Sequence, residues 1–191
     1  MGGVLQPVPR GPADGPGPRP GGELVTVPRP SSSYVVRVAD SEADRKACFA
    51  VRQEVFVVEQ RVPQELEYDE YDGGAGTVHV LALRADGEPL GTGRLLTGAA
   101  AVAKNAGDAG VGALGRLAVA KAARGLGVGA ALVRAIEDAA AERGLVAVDL
   151  HAQTHALGFY ERLGYAVYGP EFPDAGIPHR AMRKALGQPQ V

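Results

Sequence analysis

The residues best suited to chemistry lie in a glycine-rich run, Arg124-Gly-Leu-Gly-Val-Gly129, followed by Ala130. We call residues 124–130 the glycine turn. Closely spaced glycines let a backbone approach a ligand. The helix predicted after them leaves its first N–H groups without partners, and its dipole favours an anion at that end. Because Arg124 adds a positive charge, the glycine turn predicts a diphosphate site.

The sequence around the glycine turn excludes one class of diphosphate ligand and leaves another possible. The sequence has no Walker A motif, which excludes a P-loop nucleotide site. Gly125, Gly127 and Ala130 do satisfy the dinucleotide fingerprint, with Asp149 about 20 residues further on. Against that interpretation, five residues separate Val119 from Gly125, and only 42 follow Asp149. A dinucleotide-dependent oxidoreductase remains an alternative.

The elements that must position the glycine turn follow an α/β pattern. Hydrophobic periodicity, capping residues and turn residues predict hairpins early in the chain and a β-α-β unit late. From the N-terminus, the predicted elements are a strand at 34–38, a helix capped by Ser41, a hairpin of 78–84 and 90–97, a glycine- and alanine-rich loop, a strand at 115–119, a helix at 127–143, a strand at 145–150, a short helix at 156–163, a strand starting near Tyr165, a loop at 170–178 and an edge strand at 181–186. Cys48 lies on the apolar face of the first helix, where core packing is expected.

Composition narrows the class of protein further. The 191 residues suit one domain, and a net charge of −2 argues against a strongly basic nucleic-acid surface. A single cysteine and the lack of a signal peptide or long apolar run favour a cytoplasmic protein without membrane segments. Residues 1–33 hold eight of the 14 prolines and predict a disordered tail, which leaves 34–191 as the folded domain.

The motifs together resemble the GCN5-related N-acetyltransferase (GNAT) family. Its Arg/Gln-x-x-Gly-x-Gly/Ala motif is matched by Arg124, Gly127 and Gly129. The runs 116–119 and 159–165 are similar to its fourth strand and its late helix and turn. Further runs resemble the ElaA-type members, namely 55–60, 67–72 with His79, 150–153 and 176–179. The resemblance implies a mixed central β-sheet flanked by helices, with a splayed pair of strands holding acetyl-CoA.

The resemblance also implies a division of labour within the site. Backbone N–H groups of the turn would hold the CoA pyrophosphate, and the preceding strand would pair with the pantetheine arm. The implied donor-binding residues are Leu117, Ala118, Val119, Arg124, Gly125, Leu126, Gly127, Val128, Gly129 and Ala130. Tyr160 matches the tyrosine that can protonate the leaving thiolate, and an amine would attack the thioester directly.

Several side chains could take the proton of the attacking amine. The candidates are His79, His179 and the carboxylates Glu59, Glu65, Glu67, Asp69, Glu70 and Asp72. The ElaA-type pattern includes both histidines, which we therefore rank first. Glu67, Asp69, Asp72 and Arg94 are expected at the acceptor site, because an acidic cluster would attract a cationic amine. His151 and His155 lack the spacing of a helical zinc motif, so no metal is expected.

Two other functions stay open at this point. Arg52, Phe56, Asp69, Asp72 and Arg94 resemble, in type and order, residues of the acyl-homoserine lactone synthases, which share the GNAT fold. Those enzymes typically carry a tryptophan shortly after the phenylalanine, and this chain has none. A non-catalytic acyl-CoA sensor on the same fold is the other alternative. The sequence does not identify the acceptor amine, and it fits a monomer or a homodimer acting on a small molecule.

Overall fold

The computed structural model of the chain describes residues 33–105, 107–174 and 176–187. The tail predicted at 1–33 lies outside this part of the chain except for its last residue. The described residues form one seven-stranded mixed sheet in the order β1-β2-β3-β4-β5-β7-β6. The strands are β1 Tyr34–Val38, β2 Thr77–Arg84, β3 Pro89–Leu96, β4 Val111–Val119, β5 Ala147–Gln153, β6 Ala166–Asp174 and β7 Ile177–Ala185.

Five α-helices flank the sheet. They are α1 Glu42–Arg52, α2 Gln64–Glu67, α3 Gly98–Val102, α4 Val128–Glu142 and α5 Leu157–Glu161. A π-helical segment, Gln53–Glu59, continues α1 directly. Single 3-10 turns at Lys121–Ala123 and Thr154–Ala156 precede α4 and α5.

The helix starts follow from the sequence. The Ser41 hydroxyl accepts the backbone N–H of Asp44 at 3.0 Å, which confirms the predicted N-cap of α1. In α4, Leu132 and Ile136 are fully buried against the sheet, and the helix covers the predicted range within one residue at each end. Cys48 is also fully buried, as its place on the apolar face predicts.

The sheet divides between β4 and β5, its only parallel neighbours among the described strands. Their pairing joins Val111–Leu114 to Ala147–Leu150 and goes no further. Beyond it, β4 keeps its antiparallel bonds to β3 and β5 keeps those to β7, so the two strands diverge. A bulge in β4 marks this point, with Arg116 at φ +52°. The splayed pair of strands expected from the resemblance is therefore present.

The C-terminal part of the sheet corrects two predictions. Residues 170–174 and 177–178 do not belong to a loop, because they complete β6 and begin β7, with Pro173 facing Pro178 near the tip of this hairpin. Residues 181–186 are not an edge strand either, because β7 lies between β5 and β6. The edge strand is β6. The N–H group that its prolines lack is not needed there, because no further strand pairs with its outer side. The glycine- and alanine-rich loop also contains α3, which the sequence did not indicate.

The helices give no sign of a membrane-spanning element. Within the described ranges, none is both long enough and apolar enough to cross a bilayer.

Candidate active site

A cavity of about 1330 Å³ lies where β4 and β5 diverge. Gly115–Val119 lines one side and Leu150–Gln153 the other. The glycine turn contributes six of its seven residues, all except Leu126. One connected space therefore runs from the start of α4, between the strands, to the residues of α5 and the β6–β7 hairpin.

The glycine turn presents backbone N–H groups at one end of this cavity. Gly125 and Gly127 have φ of +79° and +81°, a region that favours glycine. Gly127 is the N-cap of α4 and supplies no side-chain cap, and its carbonyl accepts from Ala131. The N–H groups of 128–130 precede the first intrahelical bond and can donate to an anionic ligand. This geometry fits a diphosphate.

Arg124 does not present a free positive charge to that ligand. Its two terminal nitrogens donate to the carboxylate of Glu59 at 2.7 and 2.6 Å, and its Nε donates to the Val119 carbonyl at 3.1 Å. The hydrogen bond from Arg124 lowers the pKa of Glu59. Glu59 was a candidate base in the sequence, and the structure places it as the ion partner of the glycine turn.

Tyr160 lies deeper in the cavity, at the end of α5. Its side chain is 9% exposed and packs edge-on between the rings of Phe159 and Tyr165, at 4.9 and 5.9 Å. Burial raises the pKa of Tyr160 to about 12. The phenol therefore keeps its proton at neutral pH and can donate it to an anion formed inside the cavity.

His179 lines the same cavity from β7. Its Nδ1 lies 2.8 Å from the Ile177 carbonyl, and its ring stacks on Phe172 with the centroids 6.1 Å apart. A carbonyl only accepts hydrogen bonds, so this contact assigns the proton to Nδ1 and leaves Nε2 able to accept one. Phe172 also packs edge-on against His151 at 4.9 Å. These two ring contacts were missed from the sequence, which predicted a loop over 170–178, where β6 ends and β7 begins.

His79 is placed differently from His179. It lies on β2, is 5% exposed and does not belong to the lining of the large cavity. Its Nε2 lies 3.0 Å from the Asp72 carbonyl, and its ring packs edge-on against Phe49. Burial lowers the pKa of His79, which favours the neutral ring. The structure thus places His79 behind the site, where it holds the 69–72 loop.

The acidic residues of 67–72 lie in a compact network of ion pairs. We call it the ion-pair cluster, and its members are Arg52, Glu67, Asp69, Asp72, Arg94 and Arg116. The N···O distances are 2.5 Å from Arg52 to Glu67, 2.6 Å from Arg52 to Asp72, 2.6 Å from Arg94 to both Asp69 and Asp72, and 3.4 Å from Arg116 to both Glu67 and Asp69. Three arginines thus match three carboxylates.

The charge state of this cluster follows from its contacts. Burial disfavours an ionised Asp72, but the bonds from Arg52 and the charge of Arg94 outweigh it and lower its pKa to about 2. Burial raises the pKa of Glu67 in spite of its contact with Arg52. Glu67, Asp69 and Arg94 reach the cavity, whereas Arg52 and Asp72 support them from behind. The sequence predicted Glu67, Asp69 and Asp72 as an acidic attractor, with Arg94 at the same site. The structure adds the ion pairs through which arginines balance these carboxylates.

In the ranges 33–105, 107–174 and 176–187, no three His, Cys, Asp or Glu residues are grouped in a way that could hold an ion.

Comparison with known proteins assigns the family. The model of the family described as "Acetyltransferase (GNAT) domain" matches residues 38–186. The N-acetyltransferase YjcF of Bacillus subtilis, described as uncharacterized, is 42% identical over 149 residues, which cover 77% of this chain and 96% of YjcF. The chain therefore belongs to the GNAT acetyltransferase family and is an N-acetyltransferase.

Solved structures agree with this assignment. An acyl-CoA N-acyltransferase from Pseudomonas aeruginosa is 33% identical, with a TM-score of 0.66 over 80% of this chain and 99% of that one. Escherichia coli ElaA is 26% identical, with a TM-score of 0.66 over 80% and 98%. The CoA-dependent acyl-homoserine lactone synthase BjaI, at 18% identity and a TM-score of 0.64, shares the fold. The family and the ElaA-like resemblance expected from the sequence are confirmed.

Proposed function

We propose that this enzyme transfers the acetyl group of acetyl-CoA to a primary amine of a small acceptor, by direct attack in a ternary complex. One observation carries the proposal. A single cavity joins the open N-terminus of α4, the unpaired side of β4 and the buried phenol of Tyr160. A long donor with a diphosphate at one end and a thioester at the other fits that sequence of groups.

The donor is held mainly by backbone groups in this proposal. The N–H groups of Gly125 and of Gly127–Ala130 bind the pyrophosphate, with the α4 dipole adding to the attraction, whereas the N–H of Leu126 already bonds to the Ala123 carbonyl. The free edge of Leu117–Val119 pairs with the amides of the pantetheine arm, as one strand pairs with another. An N–H of this edge then points at the thioester oxygen, where negative charge develops during attack.

The reaction needs two proton transfers. The amine nitrogen forms a bond to the thioester carbon, its proton passes to Nε2 of His179 directly or through water, and the C–S bond breaks. Tyr160 donates its proton to the departing thiolate and recovers one from solvent. His79 acts as a positioning residue here, because it bonds to the Asp72 backbone and lies outside the cavity lining.

The acceptor is proposed to be a small cationic amine. The ion-pair cluster is balanced, but the cavity is also lined by Glu65, Glu70 and Asp174, which have no ion-pair partner within the described ranges. Lys104, which lines the cavity and has no ion-pair partner in the same ranges, offsets one of these charges, and the remaining negative charge favours a cation near the acceptor end. Because the donor is acetyl-CoA and the single thiol, Cys48, is free, we place the enzyme in the cytoplasm.

A second candidate is acyl transfer of the kind that acyl-homoserine lactone synthases perform. The ion-pair cluster favours it, because Arg52, Asp69, Asp72 and Arg94 resemble residues of those enzymes and form one network here. The two functions differ in the acceptor, which is a simple amine in the first and S-adenosylmethionine in the second. Turnover of acetyl-CoA with simple amines, detected as free thiol, supports the first, whereas turnover restricted to S-adenosylmethionine supports the second.

Replacing Tyr160 by phenylalanine tests the catalytic part of the proposal. Loss of a general acid predicts a fall in kcat of about 10²- to 10⁴-fold, with CoA affinity unchanged. Tyr165→Phe is the matched control, because Tyr165 is a buried neighbour in the same aromatic group and does not line the cavity. Equal activity of the two variants would remove Tyr160 from the mechanism. If CoA gives no saturable thermal stabilisation and NAD does, the donor assignment fails as well.

A further inference from the structure

The contact between Glu59 and Arg124 has a consequence for donor binding. Arg124 belongs to the glycine turn, and the other described cations that line the cavity lie elsewhere. Arg94 and Arg116 are held in the ion-pair cluster, and Lys104 lies over the ring of Tyr71. Arg124 is thus the one cavity-lining cation, in the part of the chain that the structure describes, placed beside the proposed phosphate site.

That cation is already engaged. Both terminal nitrogens of Arg124 bond to the two oxygens of Glu59, at 2.7 and 2.6 Å. In a bidentate pair of this kind, the carboxylate offsets the charge of the guanidinium, and the two hydrogen bonds fix the orientation of the arginine side chain. Glu59 itself lines the cavity, so its carboxylate also faces the space that the donor phosphates would enter. A phosphate approaching the turn therefore meets a carboxylate together with an arginine that is not free.

The pair is also weak enough for a ligand to displace. Its side chains are 43% and 41% exposed, and ion pairs in water contribute little because of screening and side-chain entropy. A diphosphate carries more charge than one carboxylate, so it competes well for the arginine. Glu59 ends the π-helical segment and is not buried in the core, so it can turn away without disturbing the sheet.

We propose that Glu59 is a determinant of donor affinity, which weakens CoA binding by occupying Arg124 and by placing a negative charge at the mouth of the phosphate site. The inference rests on the proposed donor site and names a residue that sets its affinity. Two effects act in the same direction. Removing the carboxylate frees the guanidinium for the phosphates and removes a like charge from their path.

A double-mutant cycle tests this inference by equilibrium titration with CoA. We expect Glu59→Gln to lower Kd by about three- to fivefold, the size that one exposed charge interaction gives. Arg124→Gln should raise Kd, because it leaves Glu59 unpaired, and the double variant should return close to the wild type. The gain in Glu59→Gln should shrink at about 1 M salt, where screening acts within a few ångströms.

Glu54→Gln is the matched control for charge at a distance, since Glu54 is an exposed carboxylate of the same π-helical segment whose charge also acts on Arg124, yet it neither bonds to Arg124 nor lines the cavity. Its Kd for CoA should stay close to that of the wild type. An unchanged or higher Kd for a folded Glu59→Gln variant would overturn the inference. A higher Kd would show in addition that Glu59 holds Arg124 in a productive position. Absence of CoA binding by the wild type would instead overturn the proposed donor site itself.

Discussion

The two ends of the cavity are built from different parts of the chain. The end proposed to bind the donor, which we call the donor end, offers backbone, namely the N–H groups of the glycine turn and the free edge of β4, with one exposed ion pair beside them. The end proposed to bind the acceptor, the acceptor end, offers side chains, namely those of the ion-pair cluster, in which Arg52 is fully buried. Backbone recognition suits a donor shared across a family, whereas side chains can change with the acceptor. Substitutions at the two ends should therefore have different effects, with CoA affinity lost at the donor end and stability lost at the acceptor end.

Arginine substitution should separate the two ends most strongly in stability. Arg52→Met removes a buried cation and leaves Glu67 and Asp72 without their partner, which should lower the free energy of unfolding by about 3–5 kcal/mol. Arg124→Met breaks an ion pair whose side chains are 43% and 41% exposed, and it should cost about 1 kcal/mol or less. Urea denaturation of both variants measures the difference. Similar costs for the two would show that the cluster does not hold the acceptor end together.

Glycine substitution should separate binding from stability at the donor end. A methyl group added at Gly125 or at Gly144 meets no heavy atom within 4 Å. In both cases it strains the backbone, because φ is +79° at Gly125 and +73° at Gly144. The strain should therefore cost each variant about 1–2 kcal/mol. Only Gly125 borders the cavity, and disturbing one charge-assisted hydrogen bond there should raise the Kd for CoA about tenfold.

Calorimetric titration of Gly125→Ala and Gly144→Ala with CoA checks this pair. Gly144 ends α4 at the opposite end from the glycine turn, so its variant should bind CoA as the wild type does. A similar loss of affinity in both variants would indicate that general destabilisation weakens binding. An unchanged Kd in Gly125→Ala would place the phosphates elsewhere.

The same contrast explains what the sequence could reveal. The donor end lies within a short stretch of chain, where strand, turn and helix follow one another, so local patterns predict it. The ion-pair cluster joins positions 15 to 49 residues apart, and Glu59 meets Arg124 across 65 residues. Residue types alone do not fix such pairings. The sequence therefore supplied the carboxylates together with Arg52 and Arg94, but neither Arg116 nor the ion pairs that join these residues.

The C-terminal hairpin shows a second limit. Three prolines between 170 and 178 predicted a loop, because proline removes a donor from a ladder. The strand order places Pro170 and Pro173 on the edge strand β6, where that donor is not required on the outer side. Pro178 lies on β7 just beyond the last pair with β5, Gln153 with His179, and only the assembled sheet reveals both facts. The stacking of Phe172 on His179 depends on the same hairpin and was missed for the same reason. The π-helical form of 53–59 also escaped, since its apolar positions are typical of an ordinary helix.

Hydrogen exchange with and without CoA tests the central claim most directly, because it reads backbone N–H groups one segment at a time. We expect CoA to slow hydrogen exchange in the glycine turn and in Leu117–Val119, while the exchange of Glu67–Asp72 at the acceptor end stays as it is without CoA. NAD at the same concentration should protect neither segment. Protection by CoA that spares the glycine turn, or equal protection by NAD, would contradict a donor site built from the backbone of this turn.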